Sequence, residues 1–210
     1  MARESNSEAL ALLQDYEKNA SYLCSPDQTL LKAAHFYLLA KARYALGLPG
    51  VISLCEQALG LAERSGRAEH YGAMAVGLNI QLSYLRARVL MKNATADSKQ
   101  HDKAIAALRF IIQEQMAQWR RTRAKNIRGQ RRNPQIEKLL ERLCEGFSLM
   151  EVKGLYAEAL MMEGKYEQAG KLYEGLVKEK ETEDLDERGV NELLNFTNQL
   201  GNCYSRLRRY

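Results

Sequence analysis

The 210 residues are 46% hydrophobic and 27% charged, with a net charge of +5 at pH 7, proportions that suit a soluble globular chain with enough apolar material for a core. No run approaches the roughly 18 uninterrupted apolar residues of a membrane span, and the polar, acidic start MARESNSEALALLQDYEK is not a secretory signal. With 3 Pro and 14 Gly against abundant Ala, Leu, Glu, Lys, Arg and Gln, the chain is made of helix formers, and a soluble, cytoplasmic, all-α protein is expected.

Helical periodicity runs from end to end without convincing two-residue alternation. The first helix is predicted over about 7–22, with Leu10, Leu13 and Tyr16 on its apolar stripe. SPDQ at 25–28 is a helix start, with Ser as cap, Pro in the first turn and Gln three residues after the cap. The helix it opens ends near Gly47. LPG turns the chain into a third helix, VISLCEQALGLAERSG, which stops at Gly66. A longer helix over about 68–92 carries Met74, Leu78, Leu82, Leu85, Val89 and Leu90 on its apolar face. After a polar break at 93–101, a helix from Asp102 turns Ile105, Leu108, Ile112 and Met116 inward. Pro134 opens another, with a bend or break near Gly146 or Gly154. KYEQAGKLYEGLVKEKE forms the next helix, ETEDLDERG a charged linker, and NELLNFTNQLGNCYSRLRR the last helix.

Two segments share a frame. YAEALMMEGKY (156–166) and LGNCYSRLRRY (200–210) each place a large residue, a small one, and a large one three further on. Both end on a Tyr after a basic residue. A helix, a turn marked by Gly and an aromatic, and a second helix form a tetratricopeptide (TPR) repeat, and the chain resembles that family. Ala157 and Leu160 fill first-helix positions, Gly164 and Tyr166 the turn, Ala169 and Tyr173 the second helix. Leu200, Gly201 and Tyr204 supply the next first helix, with Tyr210 in the role of Tyr166. The resemblance is specific over the C-terminal third. Upstream, Ala104 and Leu108 reproduce the second-helix frame, while Val51 and Cys55 stand where Ala and an aromatic belong.

Small residues let two helices approach closely and the aromatic fills the groove beside them, so Ala157, Ala169 and Gly201 are expected at close crossings. The resemblance implies stacked antiparallel helical hairpins, a TPR-like α-solenoid, in one domain over 1–210. Its parts are degenerate repeats over about 25–66 and 68–118, a basic linker at 119–134, a repeat over about 135–180, and the first helix of a further repeat over about 189–210. That last helix lacks its partner, so the chain reads as the N-terminal piece of a longer array. Leu193, Phe196, Leu200 and Leu207 would be exposed there and offer a route to self-association.

No Gly-rich phosphate loop, GxSxG elbow or HExxH occurs, so no catalytic residue and no cofactor is expected and the chain is not read as an enzyme. Cys24, Cys55, Cys144 and Cys203 lie far from one another and from His35, His70 and His101. That spacing gives no metal site, and the thiols read as buried and free. One stretch is unusual. WRRTRAKNIRGQRRNPQ (119–135) carries Arg120, Arg121, Arg123, Lys125, Arg128, Arg131 and Arg132 without an acid, and without those seven the chain would stand at −2. With Trp119 available for stacking, the strip is a candidate dock for phosphates or an acidic partner. The alternative is a solvated loop paired with the acids at 179–187.

The resemblance implies a non-enzymatic interaction scaffold that holds a protein or peptide on a concave face lined by first helices. Members that bind chaperones grip a C-terminal carboxylate with Lys, Asn and Arg on those helices. Here Gly154 and Glu158 depart from that pattern and Asn198 and Asn202 agree with it, so no carboxylate clamp is assigned. Residues 155–195 are also similar to a long repeat in the largest subunit of the signal recognition particle, with DERxxN their least generic part. That similarity implies a ribonucleoprotein component, with RNA ranked behind a protein partner. EQALGLAERSGRAEHYGA resembles the degenerate repeats in the helical sensor region of bacterial regulators.

Overall fold

The computed structural model describes residues 2–19, 26–65, 72–93, 98–124, 142, 148–183 and 185–208. Its elements are α1 (Ala2–Asn19), α2 (Pro26–Leu46), α3 (Val51–Ser65), α4 (Gly72–Asn93) and α5 (Ser98–Phe110). A π-helical turn, Ile111–Gln115, joins α5 to α6 (Met116–Ala124), and α7 (Leu149–Met162), α8 (Tyr166–Glu181) and α9 (Glu187–Leu207) follow. The fold is all-α. Among the described residues there is no strand, and no helix is long and apolar enough to cross a membrane.

Local chemistry sets the ends of these helices. α2 and α7 both finish on a glycine in the left-handed region, Gly47 at φ 71° and Gly164 at φ 74°, where any Cβ would be strained. Around Gly47, the Leu48 N–H donates to the Arg43 carbonyl (2.9 Å) and the Gly47 N–H to Tyr44 (3.1 Å). Around Gly164, Lys165 donates to Leu160 (2.9 Å) and Gly164 to Met161 (3.0 Å). The same Schellman closure therefore ends both helices, and each time the chain turns back into a helix that packs on the one just finished.

Two helix starts, those of α7 and α9, are capped by side chains. Ser148 Oγ accepts from the Glu151 N–H at 3.4 Å, and Asp186 Oδ1 accepts from the Gly189 N–H at 2.7 Å. These caps move two expected boundaries. The charged linker stops at Asp186, so α9 already contains residues 187–190. α7 starts at Leu149 and runs through Gly154 unbroken; its expected extension back to Pro134 falls largely outside the described residues. The helix expected from Asp102 starts at Ser98.

Neighbours in the chain pack on one another: α2 on α3, α3 on α4, α4 on α5, α7 on α8 and α8 on α9. Across the pairs, α2 meets α4, α5 meets α7, and α4 meets α7. The apolar side chains gather into three successive cores, the first from α2, α3 and α4, the second from α4 through α7, the third from α7, α8 and α9. α4 serves the first two and α7 the last two. From Met74 onward, α4 exposes only Arg88, Lys92 and Asn93. Three helices bury a triplet at the same spacing: Val51, Cys55 and Ala58 on α3; Ala104, Leu108 and Ile111 at the end of α5; Ala169, Tyr173 and Leu176 on α8. The π turn widens the helix by about one residue, so the buried series beyond Ile111 continues with Gln115 and Met116.

Candidate functional site

The residues of the repeat frame divide into two groups. Ala157, Leu160, Ala169 and Tyr173 are at most 3% exposed and share the third core with Leu176, Phe196 and Cys203. Gly164 forms the turn between α7 and α8, and Tyr166 is half-buried at the start of α8. In the last helix, Leu200 is half-buried, but Gly201 is exposed and a Cβ built there would meet nothing within 4 Å. The close crossing expected at Gly201 is thus absent among the described residues. Close approach to α9 comes from Gly154, whose Cβ would stand 3.3 Å from Phe196 Cε1, and from Gly170, 3.7 Å from Cys203 Cβ. Tyr204 is 45% exposed and its hydroxyl donates to Glu174. Tyr210 lies outside the described residues.

Phe196 is also a correction. Expected to be exposed, it is 8% exposed, packed against Gly154 and, ring to ring, against Tyr173 at 6.3 Å. The uncovered apolar stripe of α9 is the adjacent one, with Val190, Leu194 and Tyr204, and Leu207 beside it.

The basic strip is described only at its beginning. Trp119 is half-buried against the second core, so its ring packs inward instead of presenting a free stacking surface. Arg121 is exposed and its Nε donates back to the Ala117 carbonyl at 3.3 Å. Arg120 and Arg123 belong to α6, while Lys125, Arg128, Arg131 and Arg132 lie outside the described residues. Two of the acids at 179–187 have partners among the described residues. Lys153 takes Glu179 at 2.7 Å and Lys180 takes Glu183 at 2.9 Å.

Of the cysteines, Cys55 and Cys203 are buried and free; Cys24 and Cys144 lie outside the described residues. Burial pushes the Cys55 thiol up to about 12 and raises that of Cys203. Among the described residues no three His, Cys, Asp or Glu side chains gather as a metal site. His101 is buried and its Nε2 lies 2.8 Å from the Ala159 carbonyl, tying α5 to α7.

A concave groove of about 480 Å³ opens where α4, α7 and α9 face one another. α4 contributes Tyr84 and Arg88 to it, α7 contributes Glu151, Gly154 and Glu158, and α9 contributes Asn195, Phe196 and Gln199. Asn198 and Asn202 are not in its lining. Burial pushes the Tyr84 phenol up to about 12, with Arg88 pulling it down and Glu151 and Glu158 pushing it further up. Tyr173 is likewise raised, first by burial and then by Glu158. Arg88 sits 5.3 Å from the Tyr44 ring centroid and 5.8 Å from that of Tyr84, a cation between two aromatic faces. At the rim, Arg188 holds Glu151 (3.2 Å) and Glu192 (3.0 Å), and Lys180 adds a second contact to Glu192 (3.1 Å).

Sequence reasoning passed over the Tyr84–Arg88 pair. Its i, i+4 spacing puts both side chains on one helix face, and Arg88 stands out as the one exposed residue between Met74 and Met91. The groove presents aromatic rings, amides and charges on a concave surface. The chain matches no known family model, no curated protein and no solved structure.

Proposed function

We propose that this chain is a non-enzymatic interaction scaffold of TPR-like stacked hairpins, holding a protein or peptide segment on the face lined by α2, α4, α7 and α9. The groove between α4, α7 and α9 carries the proposal: in this reading α4 and α7 open helix pairs and α9 takes the place of the next first helix. Further support comes from the recurring Schellman closures of α2 and α7 and from the buried triplets that repeat on α3, α5 and α8. Contacts of α2 with α4 and of α4 with α7 support the reading, since a quasi-one-dimensional stack brings successive first helices together. The same proposal makes the chain cytoplasmic, and the uncovered stripe of α9 is its route to self-association.

Site-specific photocrosslinking tests the assignment. A photoreactive residue in place of Asn195, in the groove, should capture partner segments, whereas one in place of Lys171, on the outer surface of α8, should not. Adducts from Lys171 with none from Asn195 would move the binding surface off the first helices.

A further inference from the structure

The charges in the groove are unequal in one respect. Glu151 and Glu192 are already neutralised by Arg188 and Lys180. Among the described residues, neither Glu158 nor Arg88 takes part in an ion pair or a hydrogen bond. Both side chains are exposed. They stand on opposite walls, Arg88 on α4 and Glu158 on α7, with the Tyr84 ring near both. The lining also includes the apolar side chains of Met150, Leu155 and Phe196. An opposite pair left unsatisfied in such a groove is complementary to a ligand whose own charges are arranged in reverse.

We infer that the groove recognises a mixed-charge peptide segment, with a Lys or Arg of the partner paired to Glu158, an Asp or Glu of the partner paired to Arg88, and apolar side chains against the apolar part of the lining. The inference rests on the scaffold function proposed above and specifies its ligand. Glu158 is decisive, because a carboxylate on α7 repels the free C-terminal carboxylate that a basic groove would grip. It attracts a cation instead. Arg88 serves the other end: stacked against Tyr44 and Tyr84, its guanidinium is already oriented, so little rotamer freedom is lost when an acid binds. The polarity also fixes the direction in which a segment lies, basic residue toward α7 and acidic residue toward α4.

The test uses a panel of synthetic 15-residue Ala- and Leu-based peptides, carrying Lys alone, Glu alone, both at i, i+4 in either order, or Ser at both positions. Affinities are measured for the wild-type chain, Glu158→Gln and Arg88→Gln, with backbone amide shifts to locate binding. One ordering of the two-charge peptide should bind tightest. Glu158→Gln should remove the advantage of Lys, about twofold to fivefold, and leave the advantage of Glu intact. Arg88→Gln should do the reverse. Glu158→Lys should restore binding to a peptide with Glu in place of the Lys. Glu158→Gln should melt with the wild type, because that side chain is exposed and without an ion pair among the described residues, whereas Arg88→Gln gives up its contacts with the Tyr44 and Tyr84 rings and should melt slightly lower.

If peptides shift the groove amides but Glu158→Gln leaves the preference for Lys unchanged, the charge assignment is overturned and the groove survives as a binding surface. If no peptide perturbs α4, α7 or α9, both the groove and its charge code fall.

Discussion

Ala169, on a second helix of the repeat frame, and Gly201, on a first helix, are both small residues expected at close crossings, yet the structure predicts opposite responses to enlarging them. Ala169 is 0% exposed and lies in a core with Leu160 at 1%, Tyr173 at 3% and Leu176 at 0%. Ala169→Leu adds three carbons. In an empty pocket they would be stabilising by about 0.8 kcal/mol each. In a closed core they must displace neighbours instead, and overpacking of this kind carries a net cost of about 1–3 kcal/mol. Gly201 is mid-helix and exposed, with nothing within 4 Å of a Cβ, so Gly201→Ala has only the helix-propensity gain of about 1 kcal/mol. For a chain of this size each kcal/mol moves Tm by roughly 2–4 °C. Ala169→Leu should therefore melt several degrees below the wild type and Gly201→Ala a few degrees above it. Urea titrations of the three proteins, read by circular dichroism, would give the free energies directly. An unchanged Ala169→Leu, or a Gly201→Ala destabilised to the same degree, would refute the packing described for the third core.

Alkaline pH should weaken the fold. Cys55 and Tyr84 have folded pKa values raised to about 12, so their stabilisation is complete below the unfolded values and is lost as pH rises toward 12. Above the unfolded pKa each such group lowers the unfolding free energy by about 1.4 kcal/mol per pH unit; equal denaturation midpoints at pH 8 and 10.5 would contradict the burial of these groups. Asp186→Ala should remove the cap on the Gly189 N–H and cost about 1 kcal/mol, measurable as a lower Tm, with Asp186→Asn close to the wild type. Replacing Arg120, Arg121, Arg131 and Arg132 with Gln should leave the melting curve nearly unchanged. If the strip docks phosphates, the same change should reduce RNA affinity and flatten its dependence on salt; unchanged RNA affinity at two salt concentrations would remove the strip from consideration as a phosphate dock.

Helix identity was legible in the sequence because 3.6-residue periodicity is a strong signal and the punctuation at Pro26, Gly47 and Gly164 is local chemistry. The start of α9 was misread because Asp186 sits in an acidic run, where its composition spoke for a linker and its capping geometry did not. The buried triplets were recognisable at Ala169 and Tyr173, where the residues follow the family frame, and barely at Val51 and Cys55, where only the spacing survives. Gly201 shows the limit of pattern matching: a small residue marks room for a neighbour, but not whether a neighbour fills it. The groove was harder still. Arg88 and Glu158 are 70 positions apart, and nothing in either local sequence says that α4 and α7 meet. Only packing brings the two charges to one surface, and only the rim pairs made by Arg188 and Lys180 show which carboxylate is left over.

The sharing of α4 between two cores has a consequence for how the molecule comes apart. A helix that belongs to one hairpin can detach with that hairpin, but α4 holds Leu78, Leu82 and Leu85 in one cluster and Ile80, Ala87 and Leu90 in the next. Opening it breaks both, so it should be among the last helices to exchange its amide protons, while α1, packed chiefly on α2, should exchange first. Damage should spread by the same rule. A truncation at Leu176 would loosen the third core and leave the first nearly as protected as before, whereas one at Leu82 would strike the helix that couples the cores on either side and lower protection in both. Cooperativity in this chain is therefore carried by the two shared helices, α4 between the first and second cores and α7 between the second and third, and the distance over which one part senses the unfolding of another is set by how tightly each grips its two sides.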